Sequence, residues 1–474
     1  MGKLFSWLPG LVFVLWASHT SAQIEVLIKI RNLPTDTVWF GRTWGKRAVP
    51  MFSATKGADG SARLRTDSVL QPGIYALLFK RGRHARFTYL SCLVTEETRV
   101  WTIETSVEKP YSHAIVSGNA LTEAYLRYYD EFQTRLRVRD SLNDLWRLTQ
   151  TTEAFESLTA FEQRMRSYQL RVRAAHAGTL LDSVVSWTLL PDGEAWNQNS
   201  FPLLERQRLR EAAFHQALQH SIRQGNLLQK MSCPLWIEWL DLTVFKLYAD
   251  PRQVAKLVDE LLKSLQPHAS VYQYYFTYML NSFASMSRFS LDEVFLHMYN
   301  TYVKTGKASW LDAEQLERYA TQAAFMPGTL VGDRARNALV LDRRGRKRPL
   351  DSLLGGPTLL VFWDPECGHC QKELPELRQV TPAFMDRGLR VISVCMAKGP
   401  RAAECWAFVD SLQLPSAWIH VREPDDEAHL SRLYNTRTIP RIYLIDENRI
   451  IVYRRAGEVP ASELRIVLNR FFNS

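Results

Sequence analysis

Hydrophobic and polar positions change their period twice along this chain. Ile24, Val26, Ile28 and Ile30 alternate, and Asp59-Gly60 and Pro72-Gly73 punctuate further apolar runs at 74–79, 87–94 and 100–103. A period of two with turn residues between the runs predicts short strands, hence a β-sandwich or barrel of about ninety residues over 23–118. From Asn119 the period becomes helical. Leu121, Tyr125, Tyr128, Phe132 and Leu136 share one face, as do Val254, Leu257, Val258, Leu261 and Leu265, with Asp250-Pro251 as a start and Pro267 as a stop. Strand signals are nearly absent up to Met326-Pro327, which predicts an all-α segment over 119–332. Over 333–474 short apolar runs (338–341, 359–363, 389–395, 418–421, 441–445, 450–453) alternate with helical patterns (368–386, 402–412, 427–433, 461–472). That is an α/β domain, and the chain as a whole reads as multidomain.

The first 22 residues read as a processing segment. Lys3 precedes the apolar run Leu4 to Trp16, and Thr20 and Ala22 stand where a signal peptidase requires small residues. The run is too short to span a bilayer, and no cysteine near Ala22 suggests a lipid anchor. The expectation is a signal peptide, a mature protein starting near Gln23, and a place in the periplasm or cell envelope. With 474 residues about three domains are expected. Lys+Arg total 59 against Asp+Glu 49, but the charge is scattered; its densest run, Arg343 to Arg348, reads as a hairpin tip. Nucleic acid is therefore not an expected partner. Six cysteines in a chain of this length are too few for a disulfide-stapled composition. Cys92 lies in an apolar run and reads as a core residue, and Cys395 and Cys405 read as structural cysteines rather than a second redox pair. The aromatic stripe Tyr272 to Tyr278 reads as helix packing.

Chemistry concentrates in one stretch. The apolar run to Trp363 breaks at Asp364-Pro365, and Cys367-Gly368-His369-Cys370 then opens a helical pattern. A strand–CxxC–helix order puts Cys367 among the unpaired N–H groups and the positive dipole end of a helix, which favours thiolate over thiol. Cys370, one turn on, is close enough to close a Cys367–Cys370 disulfide and is shielded by the helix, so Cys367 is the expected nucleophile and Cys370 the resolving thiol. A zinc site would need a second ligand pair, and Cys395 and Cys405, ten apart with no HxxxH-type partner, do not supply one. No metal is expected.

From about Arg336 onward the chain resembles the TlpA/ResA-like thiol–disulfide oxidoreductases of the thioredoxin superfamily. The marks are Phe362-Trp363, the CGHC motif, Glu373-Leu374-Pro375 and Thr438-Ile439-Pro440. The resemblance implies a redox-active Cys367–Cys370 disulfide and a cis-proline at Pro440. It also implies a substrate-binding surface of Trp363, Ile439 and Pro440, and Glu373 as a buried proton acceptor for Cys370. Classical thioredoxins carry an aspartate on the preceding strand where this chain has Val361. The plain alternatives are a trans proline opening a strand at Pro440, a solvated first-turn Glu373, and an exposed polar His369 in place of one that tunes the thiol. The strand-rich segment with its Ser117-Gly118-Asn119-Ala120 exit is similar to the N-terminal domain of Bacteroidetes envelope members. The helical segment is similar to their middle domain, most clearly at Glu293–Tyr299 and Gly306–Leu311.

These readings imply an exported enzyme that needs no cofactor and exchanges disulfides with envelope proteins. An envelope or membrane redox partner resets it, and the front segments leave room for a homodimer. The alternative is a binding or scaffold protein whose front domains recruit an envelope client, with redox activity secondary. A peroxiredoxin would place Thr two or three residues before its cysteine, where Asp364 and Pro365 stand here.

Overall fold

The computed structural model describes residues 24–66, 70–82, 84–198, 200–248, 250–286, 290–426 and 429–473. The expected signal segment, its cleavage point and Gln23 lie outside them.

The front of the chain folds into two four-stranded sheets. One holds the strands Ser61–Thr66, Ile24–Arg31, Val100–Ser106 and Ile115–Ser117 in that order; the other holds Arg47–Thr55, Thr37–Trp44, Gly73–Lys80 and Phe87–Val94. The strand Ile24–Arg31 buries Ile24, Val26, Ile28 and Ile30 on one face, as its alternation requires. It pairs antiparallel to Ser61–Thr66 and parallel to Val100–Ser106. Asp59 accepts from the Ser61 N–H in the expected turn, but the strands on either side enter different sheets, so the turn joins the two layers. At the exit, Gly118 has φ +83, and a Cβ there would lie 2.7 Å from the Val100 carbonyl oxygen. A side chain at this position is disfavoured by both geometry and space. Cys92 is a core thiol, pushed up to about 12 by burial.

Two compact units are distinguished: the sheets with residues to Phe132, Gly178–Leu181 and Ser232–Pro234, and the rest. Among the described residues from Ala120 to Ala324 every regular element is a helix. Asp250 caps the helix Pro251–Leu265 by accepting from the Arg252 N–H, and Val254, Leu257, Val258, Leu261 and Leu265 are buried. The stripe Tyr272–Tyr278 is packing, as its period suggests: Tyr275 and Phe276 are buried, and Phe276 meets Trp310 and Tyr302 edge-on. The stripe begun by Tyr125, Tyr128 and Phe132 continues in polar form, however. Arg139 and Arg210 are fully buried and share the single buried carboxylate of Glu162.

The C-terminal sheet has seven strands in the order Lys347–Pro349, Leu339–Leu341, Ile419–Arg422, Arg390–Cys395, Thr358–Trp363, Arg441–Ile445, Ile451–Ala456. Thr358–Trp363 is central, parallel to Arg390–Cys395 and antiparallel to Arg441–Ile445. All six of its residues are buried. Leu359, Val361 and Trp363 enter one core and Leu360 and Phe362 the other, which is why the sequence shows an unbroken apolar run here. The single helix expected over 368–386 is two, Gly368–Val380 and Pro382–Met385. Pro382 has no N–H to continue the ladder, and Thr381 returns its hydroxyl to the Leu377 carbonyl. The strand and helix between Met396 and Pro424 are present as Ala402–Ser411 and Ile419–Arg422. The basic run is a hairpin tip, its turn fastened by Asp342 accepting from the Arg344 and Arg346 N–H groups.

Within this second unit a buried ion pair ties the helical region to the sheet. Arg454, on the strand Ile451–Ala456, is fully buried and donates through both terminal nitrogens to Asp292, at 2.9 and 2.5 Å.

Candidate active site

The central strand ends at Trp363, and the chain turns through Asp364-Pro365-Glu366 into the helix Gly368–Val380. Cys367 is the N-cap of that helix, with extended backbone (φ −75, ψ 106), and its sulfur accepts from the Cys370 N–H at 3.2 Å. The helix therefore turns an orphan backbone donor onto the sulfur, an arrangement that stabilises a thiolate. Asp364 fixes the turn: its carbonyl accepts from the Cys367 N–H and its carboxylate from the Glu366 N–H. Cys367 is half-buried and Cys370 fully buried. Burial pushes the Cys370 thiol well above the ordinary thiol range, and the Cys367 sulfur beside it adds to the effect. One sulfur is thus offered outward and the other is held back as a thiol.

The other wall is the segment before the strand Arg441–Ile445. The Ile439–Pro440 bond is cis, and the Ile439 carbonyl oxygen lies 3.6 Å from Cys367 Sγ. Ile439 and Pro440 thus stand where the sequence places them, beside the outward sulfur.

Glu373 is buried, 2% exposed, which removes the solvated alternative. Its Oε2 accepts from the Val459 N–H at 2.9 Å, and its Oε1 has no hydrogen-bond partner among the described residues. Burial, with Glu376 and Glu458 nearby, raises its pKa to about 7, and the Val459 N–H only partly offsets this. A carboxyl one turn beyond Cys370 that titrates near neutrality can take the resolving thiol's proton.

Trp363 calls for a correction. Expected at the substrate surface, it is 1% exposed; its indole N–H donates to Ser393 Oγ at 2.8 Å and its ring packs on Phe408. As the last residue of a central strand whose alternate positions face the core, it has no face left for a ligand. His369 is exposed, and its Nδ1 meets Glu458 Oε1 at 2.6 Å, which lowers the Glu458 carboxyl.

Three features were not legible from the sequence pattern. The segment Gly457–Ala461 binds several site elements at once: the Gly457 N–H donates to Pro440 O, Glu458 meets His369, the Val459 N–H donates to Glu373, and the Ala461 N–H donates to Glu376. Arg401 reaches Asp364 and Glu366 on the turn before Cys367. Cys395 and Cys405 are joined in a buried disulfide with Cα atoms 5.9 Å apart. Their position at a strand end and in the next helix was the only available sign. Among the described residues no group of three or more His, Cys, Asp or Glu could hold a metal, and no helix is long and apolar enough to cross a membrane.

Fold and site together define a thiol–disulfide oxidoreductase of thioredoxin-like fold. Residues 331–454 match the AhpC/TSA family. A 140-residue stretch, 30% of the chain, is 26% identical to 78% of the thiol-disulfide oxidoreductase ResA of Bacillus cereus. The sporulation thiol-disulfide oxidoreductase A of Bacillus subtilis is 25% identical over 114 residues, 23% of this chain and 66% of that protein. Among solved structures, the thioredoxin domain of a thiol-disulfide oxidoreductase from Bacteroides vulgatus is 26% identical with a TM-score of 0.27, covering 30% of this chain and 98% of that one. A thioredoxin-like protein from Bacteroides caccae is 14% identical with a TM-score of 0.43, covering 55% and 93%. The C-terminal domain is accordingly thioredoxin-like and similar to ResA.

Proposed function

We propose that this protein is exported and exchanges disulfides with envelope protein substrates through Cys367 and Cys370. The observation that carries the reading is the pairing of a half-exposed sulfur, capped by a helix N–H and facing the Ile439 carbonyl, with a buried thiol one turn away. In the reductive direction the Cys367 thiolate attacks a substrate disulfide. A Cys367–substrate bond forms, and the departing substrate sulfur leaves as a thiol after taking a proton. Cys370 passes its proton to Glu373 and attacks Cys367, releasing the second substrate thiol. The substrate gains two electrons and the enzyme is left as the Cys367–Cys370 disulfide, which an envelope or membrane redox partner resets. The oxidative direction is the reverse. The backbone beside Pro440 lines up the substrate segment. His369 is the pKa-tuning residue of the motif, with Glu458 as its counter-charge.

Export is supported by the segment up to Ala22 and by the buried Cys395–Cys405 disulfide, a bond that persists in oxidising compartments. We retain the division into 23–118, 119–332 and 333–474, the first two parts recruiting the client or a second copy of the chain.

The test is the reduction potential of the Cys367/Cys370 pair in the full mature chain, equilibrated in glutathione buffers with thiol trapping. A value below about −220 mV marks a reductase, and one of about −120 to −180 mV an oxidase or isomerase. No disulfide between these cysteines at any poise overturns the reading and leaves the recruiting front domains as the function. Peroxide consumption at a rate exceeding disulfide exchange overturns it in favour of a peroxidase.

A further inference from the structure

The turn that delivers Cys367 carries two carboxylates, Asp364 and Glu366, three and one residues before the sulfur. Carboxylates on a turn that carries a nucleophilic cysteine work against a thiolate, in the opposite sense to a helix N-terminus. A guanidinium from another element meets both. Arg401 Nη2 lies 2.5 Å from Asp364 Oδ1 and 3.2 Å from Glu366 Oε2, and its Nε lies 3.4 Å from Glu404. Arg401 ends the short turn Gly399–Arg401 that opens the helix Ala402–Ser411.

That turn is held at several points. The Cys395–Cys405 disulfide closes its base, joining the end of the strand beside Trp363 to the helix just after Arg401. Lys398 pairs with buried Glu423 at 3.0 Å, and the Gly399 N–H donates to Asp425 at 2.8 Å. Both cysteine sulfurs sit in the core that Trp363 and Cys370 share. These contacts fix the backbone from which Arg401 reaches the active-site turn.

We infer that Arg401, held in place by the Cys395–Cys405 disulfide, is a positioning residue that offsets one of the two negative charges of Asp364 and Glu366 and so preserves the Cys367 thiolate. Two carboxylates and one guanidinium leave the turn with one net negative charge; without Arg401 it carries two. The other titratable groups gathered at the turn are His369, paired with Glu458, and Cys370 and Glu373 beneath it. The charge of Asp364 also helps to raise the buried Cys370 thiol, so the effect is followed at Cys367 alone. The inference deepens the reading of Cys367 as the attacking thiol and rests on it.

The test measures the thiolate directly, without a substrate. Full-length chain reduced at Cys367–Cys370 only, with Cys395–Cys405 left closed, is alkylated with iodoacetamide across pH 5 to 9, and modification of Cys367 is followed by peptide mass spectrometry. R401Q should slow alkylation at pH 7 by about three- to tenfold and move the profile toward higher pH. R401K should recover part of the rate. Removing the opposing charges as well, in R401Q with D364N and E366Q, should restore or exceed the wild-type rate. A C395A/C405A variant, which frees the base of the turn, should shift the profile in the same direction as R401Q by a smaller amount. If R401Q leaves the profile in place, or if D364N and E366Q fail to rescue it, the charge-offsetting role is wrong and Arg401 only packs. Failure of the oxidoreductase reading would look different: the pH profiles would move as described while disulfide exchange stayed absent.

Discussion

The Val459 N–H donates to Glu373 Oε2 at 2.9 Å, while Oε1 of the same carboxyl, equally buried, has no hydrogen-bond partner among the described residues. One bond is too few to hold a buried carboxylate charged, so Glu373 titrates at about 7, where a proton acceptor is most useful. Release of a Cys367 mixed disulfide should therefore accelerate as pH rises through about 7. In E373Q it should be about ten- to a hundredfold slower and should lose that inflection. Stopped-flow decay of a mixed disulfide formed with a chromogenic thiol reports both.

The same carboxyl also makes stability depend on pH. Its folded pKa lies above the ordinary 4.5, so the folded state holds the proton more tightly than the unfolded chain. The benefit is complete below about 4.5 and is lost as pH rises to about 7, a decline on the order of 2 kcal/mol. Urea midpoints of the reduced protein at pH 5 and pH 8 should differ by this amount more in wild type than in E373Q. Equal differences in the two proteins would place the titration elsewhere.

Arg454 and Asp292 are both buried and joined by two hydrogen bonds. Deleting one partner strands a charge in a medium that solvates it poorly, at a cost of about 3–5 kcal/mol. R454A and D292A should each lower the thermal midpoint of the second unit strongly, whereas R454M combined with D292L should be far milder. Differential scanning calorimetry distinguishes this from a surface pair, for which all the variants would stay near wild type.

The Cys395–Cys405 bond closes a loop with a sequence separation of 10. Chain entropy puts its contribution at about 2–3 kcal/mol. C395A/C405A should lose that much in denaturant titration. With wild type oxidised at both pairs, graded dithiothreitol should open Cys367–Cys370 first, because Cys367 is half-exposed and Cys395 and Cys405 are buried. Mass spectrometry after thiol trapping gives the order.

The C-terminal domain was legible because its strands are buried on both faces and its motif is local. The run Leu359–Trp363 and the CxxC after it occupy a dozen residues, and their physical meaning does not depend on anything distant. The same completeness of burial misled at Trp363: an aromatic beside an active site reads as a platform, while the pairing of its indole with Ser393 lies thirty residues away in sequence. Arg401, Glu458 and the Val459 N–H were invisible for a related reason. Each acts across a separation of 35 to 89 residues through charge or backbone, and neither has a periodicity. In the helical region the stripe of Tyr125, Tyr128 and Phe132 gives no sign that Arg139 continues it inside or that Arg210, from the helix Leu203–Arg223, joins it at Glu162. The hairpin of Thr37–Trp44 and Arg47–Thr55 escaped notice because Arg47–Thr55 is largely exposed and lacks the alternation that marks a half-buried strand.

The segment Gly457–Ala461 touches the cis-proline Pro440, the histidine of the motif and two glutamates of the helix Gly368–Val380. Gly457, at φ +81, sets its course. The cis-proline wall, the charge near the motif and the proton affinity of Glu373 therefore share one mechanical support. Three of the four contacts are made by backbone N–H groups, so a substitution that shifts this backbone would move them together. Diversification of such an enzyme toward new clients is then channelled into the surrounding walls, while this short stretch behaves as a common keystone.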